Sequence, residues 1–322
     1  RHVLTGDPYP IKAIMAFGLN HRMFPEPHKI LEALDTMDFV VSSELFMTET
    51  CKHADIVLPV CTSLEREEFK VYPGGFATYI KPVVPPVGES RPDSTIISDL
   101  VGVLGLDDPL LASGYRKCVD WMLQDLHFPV EDCLAADLPI RVPDFKPYVG
   151  REYTNRQELD KGLKTPTGKF ELSSYTVEQL NCGLSPIPDY EDPYDPEQTG
   201  DYPFTLSVGA RLPFVLHSRL HDVPWTRSLR PDPMVDMNED DAAAMGIELN
   251  DWVWVENETG RIHVRANPSS KMMPGMLQIY HGYKEADANE LVPEAHLDEY
   301  SGYPGYNCVR CRIIRDEEVS HS

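Results

Sequence analysis

The 322-residue sequence contains no long apolar run and comparatively few basic residues. No stretch reaches the roughly 18 consecutive apolar residues that a membrane-spanning helix needs, so no transmembrane segment is predicted. The polar first residues, with prolines at Pro8 and Pro10, lack the pattern of a signal peptide. Lys and Arg number 29 against 52 Asp and Glu, which gives a formal net charge of −23. Because nucleic acids and anionic membranes bind basic surfaces, the sequence predicts neither as a partner.

The sequence also lacks a regular cysteine pattern. The seven cysteines are irregularly spaced, which argues against a disulfide scaffold. Cys308 and Cys311 have the spacing of metal ligands, but a structural zinc site needs about four protein ligands and no second pair lies nearby. We therefore expect both in a terminal strand and predict no metal ligand. The sequence also lacks a Walker loop, a serine-hydrolase elbow and a His-Glu-x-x-His helix, so it predicts no catalytic residue.

The sequence does contain the pattern of a globular protein, with 42% hydrophobic residues and enough length for two domains. Up to residue 105, apolar strands alternate with helical segments, which is typical of parallel α/β units. The predicted strands are Ile11–Phe17, Phe39–Ser42 and Ile56–Leu58, and the predicted helices are His28–Thr36, Thr48–Ala54 and Asp93–Leu104. Residues 1–105 are therefore predicted to form an α/β domain with a parallel sheet.

The rest of the chain separates into two predicted zones. Residues 106–201 contain one short amphipathic helix, Tyr115–Leu126, and then the proline-rich run Ser185–Pro196, which excludes a helix or a central strand. We expect an extended linker there. From residue 202 to 322 the signals indicate a β-rich domain with strands at Phe204–Val208, Trp252–Glu256, Arg261–Ala266 and Met276–Tyr280, and a helix at Glu239–Met245 after an Asn238 cap.

One segment has a more specific likeness. Met47–Pro59 (MTETCKHADIVLP), followed by Ser63–Glu67, resembles the α/β domain of the dimethyl sulfoxide reductase family. These molybdenum or tungsten enzymes carry two molybdopterin guanine dinucleotides. Thr165–Ser173 and Asp236–Gly260 extend the resemblance, which implies a C-terminal six-stranded β-barrel of the double-psi type. The His-Ser-Arg form of residues 217–219 resembles the branch with acetylene hydratase, pyrogallol transhydroxylase and the catechol dehydroxylases.

The resemblance has consequences for the whole protein. It implies that the chain is the cofactor-binding C-terminal portion of a larger oxidoreductase and is inactive alone. The expected partners are the N-terminal remainder, which would carry the metal ligand and a [4Fe-4S] cluster, and an iron–sulfur electron-transfer subunit. It leaves open whether the enzyme is cytoplasmic or exported in its prokaryotic host. The alternative is a catalytically silent subunit of the same fold that binds a nucleotide or a partner protein.

A guanine dinucleotide requires particular side chains. Guanine has two N–H donors on its Watson–Crick edge, and one carboxylate can accept both. Phosphates favour arginine, small hydroxyls and backbone opened by glycine. By resemblance, the cofactor-binding residues of the α/β domain are Gly18, Asn20, Ser43, Glu44, Arg66 and Asp93. Those of the barrel are Gly209, Arg211, His217, Ser218, Arg219, His281, Gly282 and Asn289.

Structural alternatives remain open for several of these residues. Asn20 can be a turn residue, and Glu44 can be a solvated strand end. Arg66 can form a surface ion pair with Glu67 or Glu68. Asp93 can be the N-cap of the helix that follows Pro92, because aspartate is a favoured residue at that position.

Overall fold

The computed structural model describes residues 2–72, 74–124, 130–142, 162–187, 189, 200–298 and 301–316. Its α-helices are α1 (His2–Thr5), α2 (Pro27–Thr36), α3 (Glu49–Lys52), α4 (Asp93–Val103), α5 (Pro109–Ala112), α6 (Tyr115–Leu123), α7 (Val130–Ala135), α8 (Tyr175–Leu180), α9 (Pro224–Arg227) and α10 (Glu239–Ala244). Its 3-10 turns are His21–Met23, Ala288–Leu291 and Glu294–His296. Its strands are β1 (Ala13–Phe17), β2 (Phe39–Glu44), β3 (Ile56–Pro59), β4 (Glu68–Tyr72), β5 (Phe76–Ile80), β6 (Ile140–Arg141), β7 (Phe204–Ser207), β8 (Met234–Asn238), β9 (Trp252–Glu256), β10 (Arg261–Ser269), β11 (Met276–Ile279) and β12 (Val309–Arg315).

The N-terminal strands form a parallel three-stranded sheet in the order β1-β2-β3. Four consecutive residues of β2, from Val40 to Ser43, are buried, as expected for a strand covered on both faces. Pro27 occupies the first turn of α2, where its missing N–H costs no hydrogen bond. The predicted α/β alternation is confirmed, with helix and strand ends that shift by a few residues.

Packing divides the chain into two compact units. The first contains Arg1–Ser42, Met47–Ile56 and Asp192–Ser322, and the second contains Ser43–Phe46 and Val57–Glu191. Each unit combines segments that are separated in the sequence, because the division is based on contacts in space. The domain boundaries near residues 105 and 201 therefore stay a prediction.

The first unit contains a closed six-stranded barrel in the order β10-β8-β11-β7-β12-β9. The pairs β10–β8 and β11–β7 are parallel, and the other pairs are antiparallel. Alternate residues point inward, so that Leu206, Met237, Val253 and Leu277 are completely buried. Asn238 caps α10 through hydrogen bonds from two backbone N–H groups. The predicted six-stranded barrel is confirmed.

The second unit contains an antiparallel sheet, β4-β5-β6, that the sequence analysis did not predict. Helices α6 and α7 supply Val119 and Val130 to a core that also holds Ala77 and Tyr79 of β5. The strands are short and half-exposed, so their apolar alternation is weak in the sequence.

Most of the proline-rich run Ser185–Pro196 lies outside the described residues. No helix in the described part of the chain is long and apolar enough to cross a bilayer.

The terminal strand contains one of the two closely spaced cysteines. Cys311 lies on β12 and is fully buried, and burial raises the pKa of its thiol to about 12. The Cys308 thiol, just before the strand, donates to the Gly305 carbonyl at 3.5 Å. Within the described residues, no cluster of three or more His, Cys, Asp or Glu is suited to a metal ion. That the chain supplies no metal ligand stays a prediction.

Candidate functional site

The turn after β1 brings a predicted residue of the α/β part against a predicted residue of the barrel part. Gly18 has a φ of +65°, and a Cβ there would meet no atom within 4 Å. Two residues later, the Asn20 side chain accepts a hydrogen bond from the Arg22 N–H at 3.1 Å, as a turn residue would. The same side chain donates to Ser218 Oγ at 2.5 Å. Because Ser218 Oγ accepts there, its own proton stays available for an acceptor on a ligand.

His21 anchors this turn, although the sequence analysis did not identify it. Its backbone N–H donates to Thr50 Oγ1 at 3.3 Å, and its Nδ1 lies 2.9 Å from the same oxygen. Burial, assisted by the positive charge of Arg22, lowers the pKa of His21 to about 4. The imidazole is therefore neutral at physiological pH. The sequence feature that could have identified His21 is its position directly after Asn20.

Asn289 and Tyr306 hold the segment that follows the turn. Asn289 is 4% exposed, and its amide donates to the Arg22 carbonyl oxygen. The Glu26 N–H donates to the Asn289 carbonyl oxygen at 3.2 Å. The Tyr306 hydroxyl donates to the Met23 carbonyl oxygen at 3.3 Å. The turn with Asn20 is thus tied to the Ala288–Leu291 turn and to the chain before β12.

Two predicted histidines, His217 and His281, form a directed pair, in which the donor and the acceptor of the hydrogen bond can be assigned. His281 Nδ1 lies 3.3 Å from the Val208 carbonyl oxygen, which can only accept, so this nitrogen carries the proton. Burial lowers the pKa of His281, so its ring is neutral and its Nε2 is an acceptor. His217 Nδ1, 2.9 Å away, must then be the donor. In neutral His217 this leaves Nε2 as an acceptor that can receive a ligand N–H. His217 also has a φ of +55°, which is uncommon outside glycine.

Gly282 lets the next loop approach these histidines closely. Its φ is +110°, and a Cβ there would lie 2.6 Å from His221 Nε2 and 2.7 Å from the His217 carbonyl oxygen. His221, which the sequence analysis missed, is 5% exposed and packs edge-on against Tyr283 with ring centroids 4.8 Å apart. Among the described residues, no group hydrogen-bonds to His221 Nε2, and this atom is buried.

The loop after β7 carries the remaining barrel residues. A Cβ on Gly209 would lie 3.1 Å from Asn307 Oδ1, so the loop passes close to the chain before β12. The side chains of Arg211 and Arg219 are exposed. In the described part of the chain neither one pairs with a carboxylate. Both guanidinium groups are therefore available to an anion, in a chain whose net charge is −23.

The second unit brings two other predicted residues together. Arg66 Nη1 lies 3.3 Å from Asp93 Oδ2, and Arg66 Nη2 lies 4.0 Å from Glu68 Oε2. Pro92 occupies the N-cap position of α4, and Asp93 is its first residue. The alternative that Asp93 is the N-cap is therefore wrong. The surface ion pair with Glu68 exists, but the shorter contact is to Asp93.

Ser43 and Glu44 end β2 in the same unit. Ser43 Oγ is buried and has no hydrogen-bond partner among the described residues. Glu44 Oε1 accepts a hydrogen bond from the Leu45 N–H at 2.7 Å, which is consistent with a strand-end residue. Neither side chain hydrogen-bonds to Arg66 or Asp93 in the parts of the chain that are described. The structure thus pairs Arg66 with Asp93 and leaves the other two separate.

Comparisons with known proteins agree with this fold. Residues 10–103 match the family model "Molybdopterin oxidoreductase", and residues 205–310 match "Molydopterin dinucleotide binding domain". Acetylene hydratase of Syntrophotalea acetylenica is 30% identical over 86% of the chain, and dopamine dehydroxylase of Eggerthella lenta is 25% identical over 97%. The chain spans only 38% and 39% of these two relatives.

A solved structure supports the same relationship at the level of fold. Acetylene hydratase from Pelobacter acetylenicus matches 98% of the chain and 46% of its own length, with a TM-score of 0.80 at 24% identity. The expected likeness to the branch with acetylene hydratase is confirmed. The chain therefore belongs to the molybdopterin oxidoreductases and contains the molybdopterin dinucleotide-binding domain of that family.

Proposed function

We propose that this chain holds the two guanine dinucleotide tails of a bis-molybdopterin cofactor, with molybdenum or tungsten, in an oxidoreductase. The observation that carries the proposal is the contact between Asn20 and Ser218, which places two cofactor-binding candidates from distant parts of the sequence side by side. The directed pair of His217 and His281 belongs to the same compact unit. Together these residues offer a hydroxyl donor and an imidazole acceptor.

The donor set in the first unit fits such a cofactor. A dinucleotide carries an anionic diphosphate, for which Arg211, Arg219 and the Ser218 hydroxyl are suitable partners. A pterin ring presents N–H groups, and the acceptor Nε2 of His217 suits them. His221 Nε2 is a buried polar atom without a hydrogen-bond partner among the described residues, which is costly unless a ligand or water satisfies it. The open space beside Gly18 admits a close backbone approach.

The second unit offers a set of side chains that suits the guanosine end of the dinucleotide. The Asp93 carboxylate can accept both N–H donors of a guanine edge. Its ion pair with Arg66, at 3.3 Å, limits the rotation of the carboxylate. Ser43 Oγ, buried and without a partner among the described residues, and the carboxylate of Glu44 suit ribose hydroxyls. Arg66 in this arrangement orients Asp93 and does not have to contact phosphate itself.

When bound, the metal and its pterin dithiolenes would supply the redox chemistry, and the chain would bind and orient them. The relatives are named for acetylene hydration and dopamine dehydroxylation, and another, from Cereibacter sphaeroides, for reduction of dimethyl sulfoxide and trimethylamine N-oxide. These are different reactions on different substrates. The proposed role of this chain is therefore to bind the cofactor that these enzymes have in common.

The test is the cofactor content of the full-length protein purified from its native host. We expect molybdenum or tungsten by elemental analysis and two guanine nucleotides for each metal ion after acid hydrolysis. Asp93→Asn should lower both contents, because an amide presents N–H₂ to guanine where a carboxylate accepts. The loss of a paired acceptor costs about 1–3 kcal/mol, or roughly one to two decades in affinity.

The matched control is Asp99→Asn on the same helix, α4. Asp99 forms an exposed ion pair with Arg91 at 3.0 Å and should retain the full cofactor content when changed. Equal contents in the Asp93→Asn and Asp99→Asn proteins would contradict the assignment of Asp93. Guanine nucleotide without any molybdenum or tungsten would instead favour a silent nucleotide-binding subunit.

A further inference from the structure

Asp287 is a half-buried acid whose Oδ2 is buried and unsatisfied. It begins the Ala288–Leu291 turn, where its Oδ1 accepts the Asn289 N–H at 3.1 Å. Its Oδ2 is buried and has no hydrogen-bond partner in the described part of the chain. The flanking residues Ala286 and Ala288 are buried in the apolar barrel core. An anionic oxygen in this environment lacks both solvent and a donor, so the neutral acid is the favoured form.

Among the described residues, few charged or titratable groups surround Asp287. Arg22, in the His21–Met23 turn, favours the anion, whereas Glu290 in Asp287's own turn disfavours it. Tyr306, before β12, is half-buried, and this burial raises the pKa of its hydroxyl, so the hydroxyl is neutral. Burial is the largest influence on Asp287, and it raises the pKa of this carboxyl to about 7. The arginine is therefore not placed well enough to keep the acid ionised.

The turn that Asp287 caps reaches the candidate site. Asn289, whose N–H bonds to Asp287, donates through its side chain to the Arg22 carbonyl oxygen. The Arg22 N–H in turn donates to Asn20 Oδ1 at 3.1 Å. Asn20 contacts Ser218. A continuous series of hydrogen bonds and backbone thus leads from Asp287 to the Asn20–Ser218 contact.

We propose that Asp287 is a positioning residue for the Asn20–Ser218 contact, which it supports as a neutral carboxylic acid through Asn289 and Arg22. Loss of the proton would leave a buried anion that attracts the Arg22 guanidinium and displaces the turn carrying Asn20. The inference rests on the proposed function in one respect, because it treats that contact as part of the cofactor site. The protonation state and the geometry of the turn can be tested without cofactor.

The first test is the pH dependence of urea unfolding for the wild-type protein and Asp287→Asn. A folded-state pKa above the unfolded value of 3.8 means that unfolding releases a proton, so the stability from this group is lost as pH rises towards 7. We expect the wild-type unfolding constant, relative to Asp287→Asn, to rise about tenfold per pH unit between about pH 5 and 7 and then to level off. Parallel profiles would overturn the proposal.

The control is Asp108→Asn, which changes an aspartate with a similar local role. Asp108 accepts the Leu111 N–H at 2.9 Å at the start of α5, in a solvent-exposed hydrogen bond. Its variant should follow the wild-type profile. Infrared spectra provide a measurement that does not depend on unfolding. A protonated-carboxyl band should be present in wild type at about pH 6, absent in Asp287→Asn, and lost as pH passes about 7.

The positioning role needs a readout at the turn itself. We expect amide exchange of residues 20–24, corrected for its intrinsic pH dependence, to accelerate above about pH 7 in wild type and not in Asp287→Asn. If the infrared band titrates but exchange is the same in both proteins, Asp287 affects stability alone and the positioning role is wrong. If the protein holds no guanine dinucleotide, the proposed function fails while these results still decide the role of Asp287.

Discussion

Gly282→Ala should be one of the most damaging single-methyl changes in the barrel unit. Two separate costs arise from the structure. The residue has a φ of +110°, where side chains other than hydrogen cost about 1–3 kcal/mol. The new Cβ would also lie 2.6 Å from His221 Nε2 and 2.7 Å from the His217 carbonyl oxygen. Overpacking of this kind costs about 1–3 kcal/mol, so the expected loss is roughly 2–6 kcal/mol.

The assay is urea unfolding at fixed pH, with Gly275→Ala as the matched control. Gly275 lies just before β11 with a φ of +74°, and a Cβ there would meet no atom within 4 Å. It should therefore show the backbone cost alone, about 1–3 kcal/mol. The difference between the two variants in the free energy of unfolding therefore gives the cost of the close contacts alone. If Gly282→Ala is no less stable than Gly275→Ala, the close packing of Gly282 against His217 and His221 is wrong.

A double-mutant cycle identifies which contact dominates. His221→Ala removes the neighbour at 2.6 Å but leaves the His217 carbonyl oxygen at 2.7 Å. Part of the loss in Gly282→Ala should therefore be recovered in the His221→Ala background, with a coupling energy of about 0.5–3 kcal/mol. Recovery down to the loss seen in Gly275→Ala would show that the backbone contact with His217 costs nothing. No recovery would show that His221 moves away freely.

Two further results are expected. Gly260→Ala should destabilise by about 1–3 kcal/mol in urea unfolding, because its Cβ would lie 2.5 Å from the Glu290 carbonyl oxygen. Gly102→Ala in α4, where an added Cβ would meet no atom within 4 Å, should be neutral or stabilising by up to about 1 kcal/mol. Equal losses of stability in Gly260→Ala and Gly102→Ala would contradict this expectation. The folded pKa of His21 is lowered from 6.5 to about 4, so its stabilising effect is present above pH 6.5 and is lost as pH falls towards 4, by up to about 3 kcal/mol. His21→Gln should remove that part of the acid sensitivity, and an unchanged stability profile between pH 4 and 7 would count against a buried neutral imidazole.

The sequence by itself determined the family and much of the local structure. Short apolar runs such as Phe39–Val41 of β2 predict strands, and Asn238 before an acidic first turn predicts the start of α10. The Trp252–Glu256 strand, the turn after it and the Arg261 strand form a hairpin whose signals are all local. These features depend on residues a few positions apart. Periodicity and capping therefore suffice to predict them.

Other local patterns were too weak to predict. Strands β4 and β5 are short, and β4 mixes charged and apolar residues. They are stabilised by α6 and α7, whose buried side chains complete the core of the second unit. Asp93 is the first residue of α4, as in the predicted helix Asp93–Leu104, and Pro92 takes the N-cap position. For β4 and β5, tertiary packing outweighed the local signal.

Only the tertiary structure decided how the candidate site is assembled. Asn20 and Ser218 are separated by 198 positions and meet because the turn after β1 packs on the barrel part of the same compact unit. The acceptor nitrogen of His217 follows from a proton on His281 that the Val208 carbonyl fixes. The raised pKa of the Asp287 carboxyl, about 7, follows from burial. Hydrogen-bond partners and desolvation belong to the surroundings of a side chain in space, and neighbours in sequence do not specify them.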